Sequence, residues 1–181
     1  MKTIRNLSDP ALPSLDLIKS FLSYDPATGH LRWRKKPCAW MTPWPEGGEG
    51  PIAGSWSLKA TLVGFKDVCF KAHRLAWALH YGEWPTQCLD HINGNPHDNR
   101  IENLRECSVS NNLGNAGLSR NNTSGFKGVY LRKDTGRWSA DIKHNRKKIS
   151  LGCYPTAELA AEAYAEASKR IFGEFASANR R

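Results

Sequence analysis

Leu89-Asp90-His91-Ile92-Asn93-Gly94-Asn95 is the stretch of this sequence that decides its fold and its chemistry. The Asp-His pair is followed by Asn103 and Asn112, which lie 12 and 21 residues after His91. Together these side chains supply a base that can activate water, and they also supply oxygen ligands for one hard metal ion. An Asp-His pair alone is common, and Asn, Gly and Pro often mark only a loop. The order and spacing of the four side chains favour a hydrolytic site.

The pattern around this stretch predicts a strand, a loop, a second strand and a helix. Residues 88–91 are expected to form a strand that ends at the Asp-His pair. Successive side chains of a strand point to opposite faces, so both residues can face one site only if the strand ends or twists there. Residues 92–100 are rich in Asn, Gly and Asp and indicate a long polar loop. Residues 104–107 predict a second short strand, and Ser108 can cap a helix that carries Asn112 in its second turn.

Upstream, apolar residues at helical spacing predict a helix over residues 72–81, which Gly82 then ends. Four shorter features precede that helix. They are a helix capped by Ser14, a turn at 25–29 before a strand at 31–34, an irregular loop at 37–51, and short strands over 52–71 broken at Gly54 and Gly64.

Downstream, a polar segment at residues 114–125 is typical of a linker, and the pattern then changes. Apolar and basic residues alternate over 128–132, 137–143 and 147–152, which predicts three antiparallel strands joined by tight turns. Thr156 can cap a final helix that runs to about Phe172 and stops at Gly173. The fold class predicted for the chain is therefore α+β.

The net charge of +9 is concentrated in the last third of the chain. Residues 120–181 hold 13 Lys and Arg against 6 Asp and Glu, which favours a polyanionic partner, nucleic acid first. Solubility alone is the simpler alternative. No apolar run is long enough to span a membrane, and the start lacks a signal-peptide core. The 5 cysteines show no Cys-x-x-Cys pair, which argues against a zinc ribbon and indicates reduced thiols in the cytoplasm.

The central segment resembles the HNH endonucleases, in particular the phage-type homing and free-standing enzymes. The motifs that carry this resemblance are Asp90 to Asn95, Asp98 to Arg105, and Asn111, Asn112 and Asn115, and the likeness extends over roughly residues 20–116. The resemblance implies His91 as the general base and Asp90 and Asn112 as ligands of Mg²⁺ or Mn²⁺. It implies Asn103 as the residue that positions the histidine, with Asn99 as the second choice for that role.

Residues 125–175 resemble the AP2 DNA-binding domain, in which a three-stranded sheet docks in the major groove. Four segments carry this resemblance: Gly125 to Val129, Gly136 to Ile142, Leu151 to Ala161, and Ala163 to Tyr164. Position by position, the resemblance implies that DNA is contacted by Lys127, Tyr130, Arg132, Lys143 and Lys148. Tyr130 and Ser150 stand where plant members often have arginine and tryptophan, so only the docking mode is expected to carry over.

The sequence thus predicts a metal-dependent DNA endonuclease with two modules. A ββα-metal HNH domain with an N-terminal extension is expected at residues 1–116, a linker at 117–124 and an AP2-like domain at 125–176. Arg100 and Arg105 are expected to clamp flanking phosphates, with structural ion pairing as the open alternative for each. The expected partner is double-stranded DNA, bound by a monomer or weak homodimer without membrane attachment. The alternatives are a non-catalytic DNA-binding regulator, an RNA-directed nuclease and a structural protein.

Overall fold

The computed structural model describes residues 3–4, 12–36, 50–57, 60–65 and 68–177. The chain divides into two compact units, residues 1–106 and 107–181. Both combine helices with small sheets, which confirms the predicted α+β class. The three predicted domain limits stay a prediction. Within the described ranges, no helix is long and apolar enough to cross a membrane.

In its described residues, the first unit contains a four-stranded sheet, two further strand pairs and two α-helices. In chain order its elements are β1 (Thr3–Ile4), α1 (Leu15–Phe21), β2 (Leu22–Asp25), β3 (His30–Trp33), β4 (Ser55–Ser57), β5 (Ala60–Phe65), β6 (Val68–Lys71), α2 (Ala72–Tyr81), β7 (Cys88–His91) and β8 (Leu104–Cys107). The strand order in the larger sheet is β1-β6-β5-β4. Strands β2 and β3 form one hairpin, and β7 pairs with β8.

Local sequence signals account for most of these elements. Ser14 caps α1 by accepting a hydrogen bond from the Leu17 amide, and Gly82 ends α2 in the left-handed conformation. The predicted strand break at Gly64 is wrong, because Gly64 pairs with Cys69 inside the β5–β6 ladder. Most of the predicted irregular loop at 37–51 lies outside the described residues. The core of this unit contains Ile18, Leu22, Leu31, Trp33, Val63, Phe70 and Leu75.

The second unit contains a three-stranded antiparallel sheet and a long helix packed on one of its faces. Its elements are α3 (Val109–Asn115), β9 (Val129–Leu131), β10 (Trp138–His144), β11 (Lys147–Tyr154) and α4 (Ala157–Phe172). The strand order is β11-β10-β9. Asn145 and Arg146 both have positive φ, which is the backbone that a two-residue hairpin turn requires. Thr156 and Gly173 bound α4 as the sequence predicts.

The two faces of this sheet have opposite character. Val129, Ala140 and Ile142 are buried against α4, whose own buried residues include Ala160 and Tyr164. Because side chains alternate along a strand, the intervening residues lie on the other face. Tyr130, Lys143 and Lys148 are among these outward residues, and all three are exposed.

Candidate active site

Asp90 and His91 are the last two residues of β7, where the strand gives way to a polar loop. The loop begins with a tight turn, in which the Gly94 amide donates to the carbonyl of His91 at 2.8 Å. The Ile92 amide donates to the carbonyl of Asn103 at 2.9 Å, which fixes the loop start against the residue before β8. The chain direction therefore changes directly after His91, as the sequence predicts.

The Asp90 carboxylate is buried and is held by Arg105. Both Nε and Nη2 of Arg105 lie 3.0 Å from Oδ2 of Asp90, and the two side chains are 16% and 4% exposed. Asp90 and Arg105 face each other because β7 and β8 are neighbouring strands. The phosphate contact predicted for Arg105 stays a prediction. The structure contains the ion pair with Asp90 that was its structural alternative.

The His91 ring contacts Asn99 and a second histidine, His73. Its Nε2 lies 3.2 Å from Oδ1 of Asn99, which is itself buried. The rings of His91 and His73 meet edge to face, with centroids 5.0 Å apart and planes at 88°. The geometry therefore favours Asn99, the second choice of the sequence analysis, as the residue in direct contact with the imidazole.

Asn103 instead acts on the backbone of the loop. Its Oδ1 accepts a hydrogen bond from the Asn93 amide at 2.9 Å. Its Nδ2 donates to Oδ1 of Asn93 at 3.0 Å and to the carbonyl of Asp98 at 2.7 Å. These bonds tie the two ends of the loop together. The positioning role predicted for Asn103 stays a prediction, and it would act through the loop rather than on the ring.

Asn99 is in turn supported by the β2–β3 hairpin. The Tyr24 hydroxyl donates to the Asn99 carbonyl at 2.8 Å. Gly29, at φ +74°, packs so closely that a Cβ there would lie 2.5 Å from the Arg100 nitrogen. Sequence reasoning identified the turn at Gly29 but missed its support of Asn99, because that contact joins segments about 70 residues apart. His73 was also missed, because its contact with His91 joins α2 to β7 and depends on how these elements pack.

Burial sets the protonation of both rings. Desolvation lowers the pKa of His91, although the hydrogen bond that its ring donates to Asn99 and the charge of Asp90 act in the opposite direction. Desolvation also lowers the pKa of His73 to about 3, and the neighbouring His91 adds to this effect. The Nδ1 atom of His73 is buried and has no hydrogen-bond partner among the residues that the structure describes. The pair is therefore neutral around pH 7.

The loop also carries an ion-paired cluster around Arg100. Its guanidinium makes two hydrogen bonds with the Asp98 carboxylate, at 2.9 and 2.8 Å, and its Nη1 lies 2.8 Å from Glu102. The bonds from Arg100 hold the pKa of Asp98 well below its usual range. Arg100 remains 41% exposed, so its predicted phosphate contact stays a prediction beside a structural role.

Asn112, the second predicted metal ligand, lies on α3 in the second unit and is exposed. Its predicted role as a ligand together with Asp90 stays a prediction. In the described ranges, no group of three or more His, Cys, Asp or Glu side chains is arranged as a metal site. The donors named for the ion are a carboxylate oxygen and an amide oxygen, which suit Mg²⁺ or Mn²⁺ better than zinc.

The outward face of the second unit carries most of the residues predicted to contact DNA. Lys148 pairs with Asp141 at 2.6 Å and lies 5.3 Å from the centre of the Tyr130 ring. Arg132 pairs with Asp134 in the following turn. Lys143 is exposed and makes no ion pair among the described residues. Lys127 is different, because its ammonium donates to backbone carbonyls of α3 and the residue after it. The DNA contacts of these residues stay predictions.

Two family descriptions match the sequence. The HNH endonuclease family matches residues 70–113, and the AP2 domain matches residues 124–174. The chain carries an HNH segment followed by an AP2 segment. This confirms both resemblances that the motifs indicate. No solved structure matches the chain.

Relatives of two kinds match the sequence. Protein 3.8 of Escherichia phage T7 is 28% identical over 107 residues, which cover 59% of this chain and 88% of the phage protein. The ethylene-responsive transcription factors ERF117 of Arabidopsis thaliana and ERN1 of Medicago truncatula are 47% and 49% identical over 70 and 55 residues. These matches cover 37% and 29% of this chain but only 21% and 20% of the plant factors. The first segment thus matches a nuclease family, and the second matches a domain family, with plant transcription factors among the relatives of the chain.

Proposed function

We propose that this protein is a metal-dependent DNA endonuclease that hydrolyses phosphodiester bonds by an HNH mechanism. The observation that carries the proposal is the arrangement at the end of β7. There a buried Asp90 carboxylate precedes His91, whose ring is held by Asn99 at 3.2 Å. A neutral imidazole fixed beside a buried carboxylate fits the activation of water.

The hydrogen bond that His91 donates to Asn99 decides which ring nitrogen acts as the base. An amide oxygen only accepts hydrogen bonds, so Nε2 of His91 carries the proton that faces Oδ1 of Asn99. The lone pair of the neutral ring is then on Nδ1. In the proposed reaction Nδ1 takes a proton from water, and the resulting hydroxide attacks the scissile phosphate in line with the leaving 3′ oxygen.

Asp90 and Asn112 would hold the Mg²⁺ or Mn²⁺ ion. When bound, the ion neutralises charge on the phosphate and stabilises the leaving oxygen. Asp90 fits this role because its carboxylate is a hard oxygen donor, already fixed by two contacts to Arg105. Arg105 would keep the Asp90 carboxylate in one orientation, whereas an aspartate without such a partner is free to rotate.

The AP2 segment would hold double-stranded DNA through the outward face of its sheet. Exposed Tyr130, Lys143 and Lys148 offer an aromatic ring and cations to a major groove and its phosphates. The likeness to a phage T7 protein favours a phage-type enzyme that works in the host cytoplasm. A monomer would nick one strand per visit, so cutting both strands would take two chains or two visits.

The test is a plasmid nicking assay with Mg²⁺, with EDTA, and with the His91→Ala variant. We expect EDTA to stop nicking and the substitution to lower the rate by about 10²–10⁴, the usual contribution of a general base. DNA affinity measured separately should change by only a few fold. If His91→Ala cuts as fast as the unmodified protein, the assignment of the base is wrong.

A non-catalytic DNA-binding protein is the second candidate, and the ion pair between Arg105 and Asp90 is the observation that favours it. A guanidinium already neutralises the carboxylate that the metal needs. Such a protein would bind plasmid DNA and yet show no nicking with either Mg²⁺ or Mn²⁺. Parallel substrates of DNA and RNA with one sequence would separate both candidates from an RNA-directed nuclease.

A further inference from the structure

Helix α3 belongs to one segment by the family match and to another by the structure. The HNH match runs to residue 113, inside α3. The structure, however, assigns α3 to the second unit, which begins at Cys107 and contains the AP2 match. The helix that carries the predicted metal ligand Asn112 is therefore packed by residues that belong to the DNA-binding segment.

The β10–β11 hairpin anchors the first turn of α3. The Ser110 hydroxyl lies 3.0 Å from Nδ1 of His144, and the Asn145 amide donates to the Ser110 oxygen at 3.1 Å. Because Nδ2 of Asn145 donates to Nε2 of His144 at 3.0 Å, Nδ1 of that ring carries the proton and donates to the Ser110 oxygen. One serine side chain thus joins the helix to the hairpin turn through two hydrogen bonds.

Lys127 and the end of the second unit anchor the last turn of α3. The Lys127 ammonium donates to the carbonyls of Leu113, Gly114 and Ala116, at 3.2, 2.6 and 2.5 Å. Carbonyls at the end of a helix have no partner within the helix, and a cation there also suits the helix dipole. The Ser177 amide adds a bond to the Gly114 carbonyl at 3.3 Å.

Close packing of Gly114 completes the anchorage. A Cβ on Gly114 would lie 2.6 Å from the ring of Phe172 at the end of α4, so only glycine permits this approach. At about 100° per residue, Ser110 and Gly114 share one face of α3, and Asn112 points about 160° away from each. The exposure of Asn112 agrees with this geometry. The contacts that fix the helix therefore leave the amide of Asn112 accessible.

We infer that the C-terminal unit positions Asn112, with Lys127 and Ser110 as positioning residues at the two ends of α3. This inference rests on the proposed function, because it takes Asn112 as a ligand of the catalytic ion. It gives the AP2 segment a part in the nuclease chemistry besides DNA binding. It also reassigns Lys127 from a phosphate contact to a cap on α3.

The first test measures hydrogen exchange at the backbone amides of Asn112 and Ala116 in the full chain. Both amides donate within α3, to the carbonyls of Ser108 and Asn112. Loss of hydrogen bonds to a charged group in Lys127→Met should speed their exchange by about tenfold. Lys127→Arg should restore much of the protection. Lys169→Met is the matched control, because Lys169 is an exposed lysine on α4 and loses the same charge.

The second test measures nicking at saturating DNA as a function of Mg²⁺ concentration. Lys127→Met and Ser110→Ala should both lower kcat and raise the half-saturating Mg²⁺ concentration about fivefold or more, while DNA affinity stays within twofold of the Lys169→Met control. Ser110→Ala carries no change of charge, so it separates positioning from phosphate binding. Mn²⁺ binding, followed by electron paramagnetic resonance without DNA, should weaken in the same two variants.

The outcomes distinguish this inference from the proposed function. Fast exchange of α3 together with weaker Mn²⁺ binding and a lower kcat supports the inference. Unchanged exchange in Lys127→Met, or fast exchange with Mn²⁺ binding and kcat equal to those of the control, overturns it. A loss of DNA affinity alone would return Lys127 to the phosphate contacts and also overturn it. Absence of nicking by the unmodified protein would instead refute the proposed function.

Discussion

The buried His73 should make the first unit lose stability on mild acidification. Its pKa is lowered from 6.5 to about 3, with desolvation as the main cause. An unfolded chain exposes this ring and protonates it near pH 6.5, whereas the folded protein keeps it neutral. Below that pH the unfolded state binds more protons, so the free energy of unfolding falls as the pH falls. Above pH 6.5 both states are neutral at this ring, and the effect vanishes.

The expected size follows from the width of this pH window. Each pKa unit corresponds to about 1.36 kcal/mol, so moving from pH 6.5 to pH 5.0 should cost about 2 kcal/mol. His73→Phe is the matched variant, since it keeps an aromatic ring against His91 but cannot take up a proton. Other groups that titrate over this range contribute equally to both proteins and cancel in the comparison.

The assay is urea unfolding at pH 7.5 and pH 5.0, for the unmodified protein and for His73→Phe. We expect the unmodified protein to lose about 2 kcal/mol more than the variant between these two pH values. An NMR titration of the histidine ring protons should show one ring that stays neutral down to pH 5. Equal losses in the two proteins, or a His73 ring that titrates near pH 6.5, would refute the reasoning.

Three further predictions concern the site and the DNA-binding face. Arg105→Met should lower the free energy of unfolding by about 3 kcal/mol, because it removes the charged partner of a buried carboxylate; a loss below about 1 kcal/mol in urea unfolding would contradict this. Asn103→Ala should lower the free energy of unfolding by about 2–3 kcal/mol, because it removes the hydrogen bonds of the loop, whereas Asn99→Ala should mainly lower kcat. Thermal unfolding and nicking rates are measured for both variants. A larger loss of stability in Asn99→Ala, with a larger loss of kcat in Asn103→Ala, would contradict this assignment. Lys143→Ala should lower the slope of DNA affinity against salt by about one, with Lys169→Ala as the unchanged control; equal slopes would remove Lys143 from the interface.

Local sequence signals predicted most elements of the described fold. Ser108 and Thr156 cap their helices as expected, and Gly82 ends α2 where the apolar spacing stops. These signals act over a few residues, so one sequence is enough to find them. The break expected at Gly64 did not occur, because Gly64 pairs with Cys69 in the β5–β6 hairpin and this pairing overrides the low strand propensity of glycine.

The candidate site was less accessible to prediction. Its polar residues were found through their spacing, but their partners were not. Whether Asn99 or Asn103 contacts the imidazole depends on how the loop folds back, which neither residue type nor distance along the chain reveals. The contact between His73 and His91 likewise requires the packing of α2, which the sequence described only as an amphipathic helix.

The contact of Tyr24 and Gly29 with Asn99 limits how small a transplantable HNH module can be. Residues 70–113 carry the family signature, yet the loop beside His91 is braced by a hairpin about 45 residues before that signature begins. A graft of the signature alone into another scaffold would leave this brace behind. Protein engineers who wish to move the chemistry should therefore include the segment from α1 through β3.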